Sequence, residues 1–150
     1  VKTLILGLGN SLLRDDGAGL EMARRLHQRL GHEGVDLMEA SVAGLQTLQL
    51  LAGYDRAIVI DSICDGQSVG EVYRLDIESL PTSPSRVSHG IGLTSALQWA
   101  RRAGMDVPRE IAVFALSVTD PYNFGEYLTA EVEKAIPTAV DRIAEEVGSL

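Results

Sequence analysis

Two periods of apolar residues alternate along the 150-residue chain. Thr3-Leu-Ile-Leu-Gly7 is a short unbroken apolar run, as expected of a strand buried on both faces. After a Gly-Asn turn, Ala18, Met22, Leu26 and Leu30 recur every four residues, with Leu20 and Ala23 beside them, which predicts an amphipathic helix. Arg24, Arg25 and Arg29 load its later turns and complement the negative end of the helix dipole. Gly31 fits its stop. Val35 to Met38 predicts a second strand. Leu45 to Ala52 predicts a short helix stopped by Gly53. Ala57-Ile-Val-Ile60 predicts a buried strand that ends in Asp61. Glu71 to Ile77 alternates, as a half-buried edge strand does. Leu80 to Ser88 holds two prolines and three serines and reads as loop. Leu93, Ala96, Leu97 and Ala100 mark a helix ended by Gly104, and Ile111 to Leu116 a further buried strand. The last helix starts near Thr129, a good N-cap, and carries Val132, Ile136, Val140, Ile143 and Val147 as its core stripe. Pro137 inside it predicts a kink. Strands alternating with helices predict an α/β sandwich with a mainly parallel sheet.

Composition narrows the classes. One domain spanning 1–150 is expected from the length. Thirteen Lys plus Arg against 21 Asp plus Glu leave a net charge of −8. That argues against nucleic acid as a partner, because phosphate-backbone affinity comes from clustered cations. No apolar run approaches the roughly 18 to 20 residues that span a bilayer, so no membrane partner is expected. A single cysteine and no basic leader point to a reducing, cytoplasmic location.

In sheets of this type ligands bind beyond the carboxyl ends of the strands. Three groups of residues fall there. Gly7-Leu-Gly-Asn10 followed by Asp15-Asp16-Gly17 comes after the first strand, Asp61 after the third, and Ser88-His89-Gly90 before the Leu93 helix. Each has an ordinary reading: Asp15 or Asp16 as a helix cap, Asp61 as a turn residue, His89 as a loop histidine. Taken together, two carboxylates and one imidazole form a three-ligand set with an open position, as metal sites that act on a substrate require. Mixed oxygen and nitrogen donors suit nickel, zinc or cobalt better than magnesium. The positive end of the Leu93 helix would keep His89 neutral, the form a metal needs. His27 and His32 read as solvated.

Other motifs fail on context. Gly66-Gln-Ser68-Val-Gly70 has the spacing of a nucleophile elbow, but it follows a loop and runs into a strand. Gly7-Leu8-Gly9 opens like a dinucleotide fingerprint, yet Leu12 stands where the third glycine belongs. Glu39 could stand for its ribose-binding acid, but the match is only partial. Cys64 lies close to Asp61 and reads as a small loop residue. Gly-Leu-Gly-Asn10 after a first strand is also found in peptidyl-tRNA hydrolases, but this chain lacks their proline-glycine turn and catalytic histidine.

Gly7-Leu-Gly-Asn-Ser-Leu-Leu-Arg-Asp-Asp-Gly-Ala-Gly19 resembles the opening of the hydrogenase maturation endopeptidases. The resemblance continues through Gly44, Leu50 to Asp61, Ser88 to Leu93 and Leu128 to Pro137. It implies a three-layer α/β/α fold with a five-stranded sheet. It also implies an enzyme that removes the C-terminal extension of a nickel-iron hydrogenase large-subunit precursor once nickel has been inserted. The family's metal ligands fall on Asp16, Asp61 and His89, which are also the expected catalytic residues of an aspartic-type or metal-dependent peptidase. The nickel is borne by the substrate, and zinc or cadmium could substitute in the isolated protein. Substrate binding is assigned to Gly9, Asn10 and Gly44. One departure stands out: Ser117-Val-Thr-Asp-Pro-Tyr-Asn-Phe-Gly-Glu126 replaces the family's usual glycine-isoleucine stretch, which bears on the substrate subtype. The alternatives are a non-catalytic nickel-sensing assembly factor and a nucleotide-binding module using Gly7-Leu8-Gly9.

Overall fold

A computed structural model describes residues 1–31, 33–41, 45–66, 68–75 and 90–148. Five strands form one sheet in the order β2-β1-β3-β5-β4. They are β1 (Thr3–Leu8), β2 (Val35–Ala40), β3 (Arg56–Ile63), β4 (Val72–Leu75) and β5 (Glu110–Ser117). All pairings are parallel except that of β4 with β5. The alternating Glu71–Ile77 stretch is thus an antiparallel edge strand over its described part. Among the described residues four α-helices cover the sheet: α1 (Ala18–Leu30), α2 (Leu45–Leu51), α3 (Gly90–Arg102) and α4 (Ala130–Gly148).

Alternation along the strands divides the core in two. Ile5, Ile58, Ile60 and Phe114 pack against Met22 and Leu26 of α1 and Ile136, Val140 and Ile143 of α4. Leu4, Leu6, Leu8, Ala57 and Val59 pack against Leu48 of α2 and Leu93 and Leu97 of α3. The result is the three-layer α/β/α sandwich the sequence predicts.

α4 runs unbroken through Pro137. That proline is exposed, so the carbonyl whose hydrogen bond it removes is open to water, which reduces the cost of an interior proline. His27 is half-buried rather than solvated. Its Nε2 donates to the Val35 carbonyl at 3.1 Å and ties the end of α1 to the start of β2. His32 lies outside the described residues.

Two features of the register position the site. The chain leaves β1 toward β2 on one side, then returns through α2 to β3 on the other, so the switch in strand order falls between β1 and β3. The β1–β3 ladder also stops at Gly7 and Ile60, whereas β3 and β5 stay paired to Ile63 and Ser117. Asp61 is therefore not the turn residue expected after a strand. It sits within β3, opposite Ala115, just past the last rung shared with β1.

Candidate active site

The crevice outside a topological switch point is where open α/β sheets bind ligands, and Asp16 and Asp61 both lie there. Asp16 belongs to a 3₁₀ turn, Arg14–Gly17, that leads directly into α1. The start of α1 rests on the strand ends. A Cβ on Gly19 would lie 2.5 Å from the Leu8 carbonyl oxygen, 2.7 Å from that of Ile60 and 3.0 Å from the Asp61 Cα. Only glycine permits that approach, and it holds the Asp16 turn over the carboxyl ends of β1 and β3. Gly9 is constrained more severely. Its φ is +153°, and a Cβ there would come within 2.0 Å of the Asp16 carbonyl oxygen.

Both carboxylates are buried, Asp16 at 2% and Asp61 at 0% exposure. Asp16 Oδ2 accepts the Asn10 backbone N–H at 2.8 Å, and Asp61 Oδ1 accepts the Ser62 backbone N–H at 2.7 Å. Asn10 also organises its own loop. Its side-chain oxygen accepts the Leu12 N–H at 3.0 Å, and its backbone carbonyl accepts the Leu13 N–H. Asn10 therefore aims Asp16 and shapes the turn that carries it.

Asp15 and Asp16 are interchangeable as helix caps by sequence alone, and the structure separates them. Neither gives its side chain to the start of α1, whose N-cap is Gly17. Asp15 is fully buried, and its carboxylate accepts the backbone N–H groups of Thr119, Asp120 and Thr129 and the Thr129 hydroxyl, at 2.7–3.3 Å. Its own N–H donates to the Asp120 carbonyl at 3.0 Å. Asp15 thus clamps the segment before α1 to the segment before α4. The Thr129 hydroxyl, expected to cap its own helix, bonds Asp15 instead. No local pattern could have shown this, because the partners lie 114 residues apart. Arg14 takes a positive φ of 45°, and the Arg14 N–H donates to the Gly125 carbonyl at 2.8 Å, closing a second tie between the same segments.

The third predicted ligand, His89, and the predicted substrate contact Gly44 lie outside the described residues. α3 begins at Gly90, immediately after His89. The segment after α3, from Asp106 to Glu110, shares a cavity with Val1, Tyr54 and Asp55 at the amino ends of the strands. α3 therefore starts at the opposite edge of the sheet, the one bearing Asp16 and Asp61. Leu93, one turn in, is buried with Leu8 and Val59 on the Asp61 face of β3. Among the described residues no three His, Cys, Asp or Glu side chains converge as ligands would.

A sequence model of the hydrogenase maturation protease family matches residues 20–146. The chain belongs to the hydrogenase maturation protease family. It is an enzyme, an endopeptidase of hydrogenase maturation. The hydrogenase expression/formation protein HupD of Rhizobium leguminosarum bv. viciae is 28% identical over 144 residues, which cover 93% of this chain and 71% of that one. The solved hydrogenase maturating endopeptidase HybD from Escherichia coli superimposes with a TM-score of 0.77 at 25% identity, covering 99% of this chain and 93% of that one. The [NiFe] hydrogenase maturation protease HybD from Thermococcus kodakarensis gives a TM-score of 0.73 at 27% identity, covering 98% and 99%.

Membership in this protease family does not favour the two alternatives. The structure also gives both glycines of the nucleotide-like turn other work: Gly7 packs on Ala23 and Leu20, and Gly9 on the Asp16 carbonyl. Ser68 bonds through its carbonyl to the Glu71 N–H in a turn that leads into β4, the wrong setting for a nucleophile elbow. Among the described residues no helix is long and apolar enough to cross a membrane.

Proposed function

We propose that this maturation protease removes the C-terminal extension of a nickel-iron hydrogenase large-subunit precursor after nickel insertion, in the cytoplasm. It recognises the precursor's nickel through Asp16, Asp61 and His89. The observation that carries this reading is the pair of buried carboxylates at the switch point, both aimed by backbone N–H groups. Burying a carboxylate is costly, and two on one edge repel each other unless a cation relieves them. Carboxylate oxygens with one imidazole suit a borderline divalent ion such as nickel. The bound ion supplies Lewis acidity toward the scissile carbonyl or a water.

The chain's own residues do the rest. Asn10 holds Asp16 in position through its backbone N–H. The Asn10 and Gly9 region and Gly44 bind the substrate chain, so that precursor binding fixes the scissile bond against the site. Orientation of this kind supplies much of the rate. Zinc or cadmium would occupy the same donors in the isolated protein.

The test is cleavage of nickel-loaded and nickel-free precursor by wild type and by Asp16→Asn, Asp61→Asn and His89→Ala. The expected result is that only nickel-loaded precursor is cut, and that each variant loses about a hundredfold or more in kcat/KM. Full cleavage by all three variants overturns the site. Equal cleavage of the two precursors overturns the nickel gate.

A further inference from the structure

Four large apolar side chains stand in water beside the site. Phe124 is 88% exposed, Tyr127 82%, Tyr122 72% and Leu12 52%. The chain has only two phenylalanines, and one of them is given to this surface. Scattered apolar residues on a surface are ordinary, but a contiguous group marks a contact. These are contiguous through the backbone. The Gly125 N–H donates to the Leu12 carbonyl at 2.9 Å, and Leu13 and Gly125 form an isolated bridge.

The loop that carries the aromatics is pre-formed. Asp120 accepts the N–H groups of Tyr122 and Asn123, both at 3.1 Å, and the Asn123 side-chain amide at 3.0 Å. Arg14 lies 3.6 Å from the same carboxylate. The Asp15 clamp then fixes the start and end of the loop to the residue next to Asp16. A cavity of about 240 Å³ links the two regions, lined by Ser11 and Gly17 of the site segment and by Tyr127 and Leu128 of the loop.

From this we infer that Leu12, Tyr122, Phe124 and Tyr127 form a rigid docking platform for an apolar patch on the folded precursor, next to the bond to be cut. The inference rests on the proposed function and deepens it by naming the recognition surface. The occupant follows from the geometry. An endopeptidase whose carboxylates lie at the carboxyl edge must receive its protein substrate at that edge, and this loop follows β5 on that same edge. Aromatic side chains with few rotamers, held on a fixed loop, are the usual anchors of protein interfaces. Docking energy from side chains that do not touch the reacting atoms lowers KM when it is present equally in ground and transition states. The platform therefore sets which precursor is accepted and leaves the chemical step alone.

The test compares wild type with the triple variant Tyr122→Ser, Phe124→Ser, Tyr127→Ser, using folded nickel-loaded precursor. The ties that hold the loop, from Asp120 to the Tyr122 and Asn123 N–H groups and between Gly125 and the Leu12 to Arg14 segment, use none of these side chains, and circular dichroism and the melting temperature check the fold. A second variant, Phe124→Ser alone, guards against a folding defect. We expect KM to rise about tenfold or more in the triple variant, with kcat changed less than about threefold. Phe124→Ser should give part of that rise. An unchanged KM in both variants, with cleavage by wild type intact, overturns the platform and leaves the proposed function standing. Failure of wild type to cut overturns the proposed function instead. The platform is then judged by direct binding, where equal precursor affinity of wild type and triple variant overturns it. A dimer of wild type that the triple variant abolishes, and that precursor does not compete away, assigns the patch to a second copy and also overturns it.

Discussion

The two edges of the sheet treat carboxylates in opposite ways. At the amino edge Asp36, Asp55 and Glu110 meet water and a neighbouring cation or N–H group. Lys2 lies 3.8 Å from Asp36, the Lys2 N–H bonds Asp55 at 2.7 Å, and Arg56 bonds Glu110 at 3.0 Å. At the carboxyl edge Asp15, Asp16 and Asp61 are buried, and backbone N–H groups hold them. An exposed ion pair contributes about 0.2 to 1 kcal/mol and needs no fixed loop. A buried carboxylate needs donors already aimed at it. The carboxyl edge supplies those donors from its own backbone, so its loops are tied in place where the amino edge needs no such frame.

The contrast can be broken first at Asp15. Asp15→Ala leaves the Thr119, Asp120 and Thr129 N–H groups without their acceptor, each at a cost of about 1 to 3 kcal/mol if it stays buried. We expect about 3 kcal/mol off the unfolding free energy by urea denaturation, together with a fall in cleavage. A loss under about 1 kcal/mol would mean that the clamp is not needed. At the other edge Glu110→Gln, whose side chain is 59% exposed, should change stability by less than about 0.5 kcal/mol in the same assay and leave cleavage intact. A cost comparable with that of Asp15→Ala would erase the distinction between the edges.

The smallest effect is one of acid. The carboxyl of Asp120 is held below its ordinary value, first by the Asn123 side-chain amide and then by the Asn123 and Tyr122 N–H groups. A depressed folded pKa contributes stability above the unfolded value, and that contribution fades as pH falls through the folded one. The aromatic loop should therefore loosen only below about pH 4. Faster hydrogen exchange at the Tyr122 and Asn123 amides in that range, beyond the intrinsic pH dependence, would be the sign. Loosening that begins near pH 6 would point to a different group.

Much of this was legible in the residues. The apolar runs and the four-residue period of Ala18, Met22, Leu26 and Leu30 located the strands and helices, because one side of each element must face the core. The alternation in Glu71–Ile77 marked the edge strand for the same reason. Asp16 and Asp61 could be singled out because parallel sheets collect ligands at one rim. Three things were not legible. The reach of β3 past Ile60 depends on rungs supplied by β5. The different roles of Asp15 and Asp16 depend on Thr129, far along the chain. The exposure of Phe124 and Tyr127 could not be told from burial, since aromatics are ordinarily core residues.

The link between Asp15 and Thr129 also orders events in time. A chain leaving the ribosome exposes Asp15 and Asp16 early, but the partner that fixes their turn is made 114 residues later. Long-range contacts of this kind form late, after the loop between them has closed. A partly synthesised chain therefore carries Asp15 and Asp16 without the frame that fixes their turn. The turn that carries Asp16 should settle only when the segment before α4 docks against it, late in the folding of each new copy.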